Sequence, residues 1–598
     1  MRSRALAVIV LILGPLLGAA LAQRLSLEEA TRLTWRLETR ADGVAALRSI
    51  VAASPEDADA RFELGRVLTW DARSRVEGVT MLLNVLEQQP GRADVEEALA
   101  DVLSWSQPTR PEAVRRLRSI VQREPSRLSA RLKLAAVLSW DPATRDESRA
   151  LYTGVLREDR NSTEAAVGLA RVLSWSGRTA EARAWYELTL ARNPDAQAAR
   201  IGIAELDGWN GHARSSLKTL SAGPAESIDT PDALRLRAEA YSQIGRPSRA
   251  LAQYEKLLTI DPANAVALNA SRTLRQGLRP SLEIGGERST ESGDAANKVE
   301  TTSVPFRFAF HPSGADTEIS VTLTQAQYRN SLGSRPDRMV GVGADTPVGN
   351  HVRISGELMT HSIDGVDRTY TGRAQLQLAL HDGFEVRVGA AREQLYSSRL
   401  SLAGEQVGDT FFGPSFVAQG MLAVAARAHS WDAWAHATAG QIHGTNIADN
   451  ARRELFAGAG RSFRAGTVTL RPGYSLGWMA YDRDLGAFPG DAAGDGVTAP
   501  GVGGYFSPSQ FVNHMARFDI TVPIRDALVI AGGVGVGRQR VEDAWSRGTA
   551  AWTDSSDAAL GIRVRAHDRI SVGVQGTYQD VASAFNRTTV RATLAVGF

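Results

Sequence analysis

Cysteine is absent from the 598 residues, which excludes disulfides and thiolate metal sites. A dominant charge is missing as well. The net charge is +2 with 22% charged residues, so neither a strongly basic nucleic-acid binder nor a disordered polyelectrolyte is expected. Long apolar runs are scarce: the one from Ala5 to Leu17 follows Arg2 and Arg4 and precedes the small-x-small triplet Ala20-Leu21-Ala22. That pattern predicts a secretory signal peptide over residues 1–22, cut before Gln23, and a mature chain outside the cytoplasm. A retained anchor is the weaker alternative, because a spanning helix needs about 20 apolar residues.

Chemistry-bearing constellations are also lacking. His429, His436 and His443 recur every seven residues, so on a strand His429 and His443 share a face that His436 does not. No nucleophile elbow or zinc-binding helix accompanies them, which argues against an outer-membrane serine hydrolase. The string GGVGVG near Val534 lies in a strand pattern and opens no helix, so it is no phosphate loop. No catalytic residue, metal ligand or cofactor is assigned, and the chain is not read as an enzyme.

What is present begins with a repeated phrase, RVLTW, DVLSW, AVLSW and RVLSW. Its tryptophans, Trp35, Trp70, Trp105, Trp140, Trp175 and Trp209, stand 35, 35, 35, 35 and 34 residues apart, and one further step of 34 reaches Gln243. A fixed period of this size marks stacked helix pairs. Seven units are visible, and prolines at Pro55, Pro90, Pro125, Pro194 and Pro262 stop them. Ala238, Tyr241, Gly245, Ala250, Tyr254 and Pro262 fall where small, aromatic and helix-ending residues occur in tetratricopeptide repeats, which residues 23–275 resemble. The tryptophans are expected to pack between successive pairs. Arg40, Arg75, Arg110 and Arg145 share the period and are expected on one face, solvated or turned to an acidic partner.

Composition changes at Gln276–Pro280, and residues 279–598 read as strands. In the closing segment Val590, Ala592, Leu594, Val596 and Phe598 alternate with polar or small residues. A soluble sandwich alternates too. The signal peptide, strands long enough for a bilayer, and aromatics such as Trp431, Trp434, Trp478, Tyr481 and Trp552 for its girdles favour a transmembrane antiparallel barrel of about sixteen strands. Its terminal Phe598 resembles the insertion signal of outer-membrane barrels. An even strand number puts the repeats on the side where the barrel begins and ends. The polar face offers Arg353, Glu357, Arg373, Gln375, Gln377, Glu385, Arg387, Arg471, Arg517, Asp519, Arg563, Arg565 and Arg591 to a water-filled lumen.

One motif narrows the reading. Gly503-Gly504-Tyr505-Phe506-Ser507-Pro508 is similar to a signature of the cellulose synthase operon protein C family, although Ser509 intervenes before Gln510 and Phe511 and the repeat array is short for the family. The resemblance implies an outer-membrane exopolysaccharide porin with periplasmic repeats. The implied partners are the nascent polymer, an inner-membrane synthase complex and periplasmic accessory proteins, with no nucleic acid. A porin for poly-N-acetylglucosamine and an outer-membrane scaffold without transport are the alternatives.

Overall fold

The computed structural model describes residues 25–36, 38–223, 229–293, 299–331, 333–395, 397–486, 503–525, 527–543, 548–581 and 585–598. The signal peptide expected at residues 1–22 lies outside them. Two compact units are present, dividing between Ile203 and Ala204.

In the first unit, helices α1 (Leu27–Thr34), α2 (Arg40–Ala53), α3 (Ala58–Leu68), α4 (Arg75–Gln88) and α5 (Ala93–Ser104) are followed by α6 (Arg110–Arg123), α7 (Leu128–Ser139), α8 (Arg145–Glu158), α9 (Thr163–Trp175) and α10 (Thr179–Arg192). Local chemistry sets their ends: Ser26 and Glu29 form a capping box on α1, and the Asp57 and Ser162 side chains cap α3 and α9. Residues such as Leu82, Leu117 and Ile120 are fully buried between the helices. Close approach uses glycine. A Cβ on Gly168 would lie 2.3 Å from the Tyr152 ring, and one on Gly202 would lie 2.2 Å from the Tyr186 ring. Burial in that contact pushes the Tyr152 phenol up to about 12. Gly168→Val is expected to lower stability by about 1–3 kcal/mol through overpacking, read from denaturant unfolding of the helical circular-dichroism signal.

The repeated indoles are not fully buried, although Trp70 is half-buried against the cluster of Leu47, Leu64 and Leu68. Trp35 is 62% exposed, Trp105 48% and Trp140 41%, because each stands at the C-terminal end of a first helix. The periodic arginines cover them: Arg40 lies over Trp70, Arg75 over Trp105, Arg110 over Trp140 and Arg145 over Trp175, at 4.6 to 6.0 Å. The same guanidiniums donate through Nε to the helix ends at Thr34, Thr69, Ser104 and Ser139, at 3.1 to 3.3 Å. Each arginine, half-exposed, thus ties its own helix pair to the indole of the next. Arg75→Ala is expected to cost about 1–2 kcal/mol from the lost cation–π contact and hydrogen bond, with Arg75→Lys recovering only part of it, in the same unfolding assay.

The second unit contains helices α12 (Ala213–Ser221), α13 (Pro231–Gln243), α14 (Pro247–Ile260) and α15 (Ala265–Gly277); α11 (Gln197–Trp209) precedes them and runs through the division. The described helices up to Gly277 make seven pairs and a closing helix. Ala238, Ala250 and Tyr254 are buried at their contacts, as the tetratricopeptide pattern requires.

Then come sixteen strands in one closed antiparallel sheet. They are β1 (Ser281–Gly293), β2 (Val299–Phe310), β3 (Glu318–Asn330), β4 (Gly333–Val348), β5 (Val352–Ile363), β6 (Thr369–His381), β7 (Phe384–Gln394) and β8 (Ser415–Ala428). The circuit continues with β9 (Trp431–Gly444), β10 (Ile447–Arg461, extended by Phe463–Ala465), β11 (Val468–Tyr481), β12 (Gln510–Ile524), β13 (Leu528–Glu542), β14 (Trp552–His567), β15 (Ile570–Val581) and β16 (Phe585–Gly597). Closure pairs Ser281 with Gly597 and Leu282 with Val596, and the Phe598 amide donates to Pro280 at 2.9 Å. Every strand but β1 exposes large apolar side chains, among them Phe308, Val342, Leu358, Leu422, Leu476 and Leu560. An apolar outer belt on a closed barrel is the architecture of an outer-membrane protein.

Candidate functional site

The opposite faces carry most of the charged side chains of the strands and enclose the lumen. One lumen cavity of about 460 Å³ is lined by Glu283, Arg307, Asp345, Glu357, Arg373 and Gln375 among others. Arg353 pairs with Asp345 at 2.5 Å and Arg373 with Glu357 at 3.1 Å, while Gln377 donates to Glu385 at 2.7 Å. Arg387 pairs with Glu385, and Arg591 pairs with Glu287. Arg563 and Arg565 share this face of β14 with Asp557 and have no carboxylate within 4.0 Å among the described residues.

The longest run of charge crosses from β9 to β14. Asp432 meets Arg471 at 2.6 Å, Arg471 meets Asp519 at 3.0 Å, and Arg517 lies 3.9 Å from Asp519 and 2.6 Å from Asp557. Two of these links skip a strand, and glycine is what lets them. A Cβ on Gly460 would sit 2.7 Å from the Arg471 guanidinium carbon, and one on Gly535 would sit 2.7 Å from the Asp557 carboxylate. The string GGVGVG is therefore a set of windows in the wall.

Beside this ladder stands an aromatic column. Trp434 and His436 stack at 5.7 Å, and His436 and Phe456 at 5.1 Å. Gly458 and Gly477 make room, since their Cβ atoms would clash with the Trp434 and Phe456 rings. Trp434 shares the face of Asp432, so it lines the lumen and not the lipid girdle. Tyr481, on the face of Arg471, is also turned inward and buried. Trp431, Trp478 and Trp552 take the outer face. His429 is in the turn before β9, and His443 pairs with Asp449 at 2.7 Å, so the three histidines do not converge.

At the rim where the barrel begins and ends, the last helices are bonded to the strand connections. The Asp382 carboxylate accepts from the backbone amides of Arg214 at 3.0 Å and Ser215 at 2.8 Å, capping α12 from outside its own segment. One repeat later, Asp316 accepts from the Ser248 amide at 2.7 Å and its hydroxyl at 2.6 Å, capping α14 in the same manner. Arg246 adds an ion pair to Asp316 at 2.9 Å and donates to Pro347 O at 2.9 Å, and both charged side chains are buried. Burial draws the Arg246 guanidinium below its ordinary value. Between these helix turns and the strands lies a cavity of about 660 Å³ that includes Arg353, Gln377, Arg387, Phe384 and Trp434.

The opposite rim is filled. Between β7 and β8 the chain forms a short helix, α16 (Arg399–Ala403), and a small hairpin. Leu402 packs on Val299, Ala326, Tyr328 and Ile363, and Leu400 on Val417, Ile442 and Tyr481, so the segment meets lumen-face residues from β2 to β11. The Gly-Gly-Tyr-Phe-Ser-Pro motif locks it. Tyr505 is 2% exposed, its hydroxyl accepts from Asn450 at 3.2 Å, and Ser398 donates to Gly504 O at 2.5 Å. The Ser507 hydroxyl accepts from the Leu485 amide at 2.8 Å, Pro508 O accepts from the Tyr481 amide at 3.1 Å, and the Phe506 amide donates to Ser397 at 3.0 Å. The motif is loop packing inside the barrel mouth. Only Gly504, at φ 61°, needs the left-handed region.

Residues 313–547, which include this motif, match the family model described as cellulose synthase operon protein C C-terminus. Ahead of the barrel, residues 145–201 match a tetratricopeptide-repeat model. Among solved structures, the chain is similar to one described as a bacterial polysaccharide outer membrane secretin, at 11% identity, covering 54% of this chain and 99% of that one with a TM-score of 0.39. It is also similar to a tetratricopeptide repeat protein from Parabacteroides merdae, at 13% identity over 42% of this chain and 98% of that one with a TM-score of 0.35. CdiB from Acinetobacter baumannii shares 9% identity over 52% of this chain and 60% of its own, with a TM-score of 0.32. No curated protein matches the chain.

Proposed function

We propose that this protein exports a polysaccharide, specifically a β-glucan of the cellulose type, across the outer membrane through the barrel. One observation carries the reading: the column of Trp434, His436 and Phe456 stands in a polar wall whose charges are largely paired with one another. Aromatic faces suit the C–H faces of pyranose rings, and the polar wall exchanges hydrogen bonds with sugar hydroxyls at small net cost. Paired charges leave no strong site on which a neutral polymer would stall. The rim bearing α12 to α15 faces the periplasm in this reading, and the repeats there organise the synthase complex and accessory proteins. Polymerisation at the inner membrane supplies the driving force.

The test compares extracellular and cell-retained polysaccharide, with linkage analysis, in cells carrying the full chain, no chain, or the W434A/F456A variant at equal barrel level. Loss of extracellular β-glucan without the chain, with the variant reduced several-fold, is the expected result. Export of an N-acetylated amino sugar in its place would transfer the assignment to the poly-N-acetylglucosamine class. Unchanged polysaccharide in all three strains would favour a scaffold. By contrast, a single change such as R373A should be mild, because its partner Glu357 and the surrounding wall remain solvated.

A further inference from the structure

The first unit contains a groove between α8 and α10, floored by α9, with a volume of about 490 Å³. That lies within the range of roughly 300–1,000 Å³ typical of ligand sites. Its floor is apolar: Leu156, Leu169 and Leu173 are buried, Leu188 is 40% exposed, and Trp185 stands beside them. Its walls are basic, with Arg149, Arg157, Arg160, Arg178 and Arg192 around the single carboxylate of Glu181.

Internal pairing accounts for only part of this charge. Asp146 holds Arg149 at 3.0 Å, Glu181 holds Arg178 at 2.6 Å, and Arg192 donates to Arg160 O at 2.7 Å. Arg157 and Arg160 are exposed and have no carboxylate within 4.0 Å among the described residues. A ligand complementary to this groove needs an apolar ridge flanked by negative charge. A sugar polymer meets that requirement poorly, because hydroxyls pressed onto leucine lose their hydrogen bonds to water.

We infer that the groove between α8 and α10 docks an acidic amphipathic helix from a protein partner, its apolar ridge on the leucine floor and its carboxylates on Arg157 and Arg160. The inference is independent of the exported polymer. Its probe is a fluorescently labelled synthetic helix of about 16 residues, long enough to hold some helical structure in water, with leucines along one face and glutamates on both flanks. Anisotropy is measured on the full chain in detergent micelles. Saturable binding that weakens with salt is expected, with about a tenfold loss in R157E/R160E and recovery in that variant when the peptide glutamates are lysines. Both arginines are on the surface, and circular dichroism verifies that the variant remains folded. Equal binding of a glutamine-flanked peptide, undiminished affinity in the charge-reversed variant, or no saturable binding overturns the inference. So would binding of an oligogalacturonate to the same arginines with the acidic peptide failing to compete.

Discussion

Replacing residues 397–413 with a short glycine–serine bridge raises the single-channel conductance of the barrel several-fold in planar bilayers. Sixteen strands enclose an aqueous lumen wide enough for a channel, yet in the structure α16 and its hairpin occupy one end of it. Leu400 and Leu402 are 0% and 1% exposed on lumen-face residues, and the buried Arg399–Glu405 pair at 3.0 Å stiffens the segment. Tyr505→Ala is the milder form of the same experiment. Removing a buried aromatic costs about 3–5 kcal/mol of packing, so the segment loosens without being lost and the current flickers between levels. Conductance identical to the unaltered protein in both variants would show that the segment does not limit the pore.

Arg246→Ala uncouples α13 and α14 from the barrel. Removing one partner of a buried ion pair leaves the Asp316 carboxylate uncompensated and costs about 3–5 kcal/mol, and the same change deletes the donor to Pro347 O. The expected readout is hydrogen exchange. Amides of α13 and α14 lose protection by orders of magnitude, while those of β3 to β5 and the heat resistance of the barrel are unchanged. Asp316→Asn should do less, because an amide oxygen still accepts from Ser248. Equal protection in Arg246→Ala and the unaltered protein would show that the ion pair carries none of the coupling.

Much of this architecture was legible in the chain. The step between tryptophans fixes the stack of helix pairs, since only a repeated supersecondary unit keeps such a period. Alternation over Val590 to Phe598 identifies a strand with two unlike faces, and the pattern recurs often enough to close a barrel. What periodicity does not reveal is which surface a side chain meets. Trp105 has the spacing of a core residue and ends exposed under Arg75, because a residue at a helix end has turned away from the packed stripe. Trp434 has the composition of a girdle residue and faces inward, because its parity with Asp432 decides the matter. The roles of Asp316 and Asp382 as caps, and of Gly460 and Gly535 as windows, depend on partners brought close by barrel closure. No local spacing encodes those meetings. The signal for Tyr505 was the motif itself, which reported a constrained loop without saying that the loop fills the lumen.

The ladder from Asp432 to Asp557 has an electrical meaning as well. Fixed charges confer ion selectivity only when their fields reach the solution, and here three carboxylates and two guanidiniums pair along the wall, leaving one excess negative charge near the unpaired Arg563 and Arg565 of the same face. Under a salt gradient the open barrel should therefore show a reversal potential near zero. Bulk electrolyte would pass it almost without preference for sign, and a moving uncharged chain would drag no counterion cloud behind it.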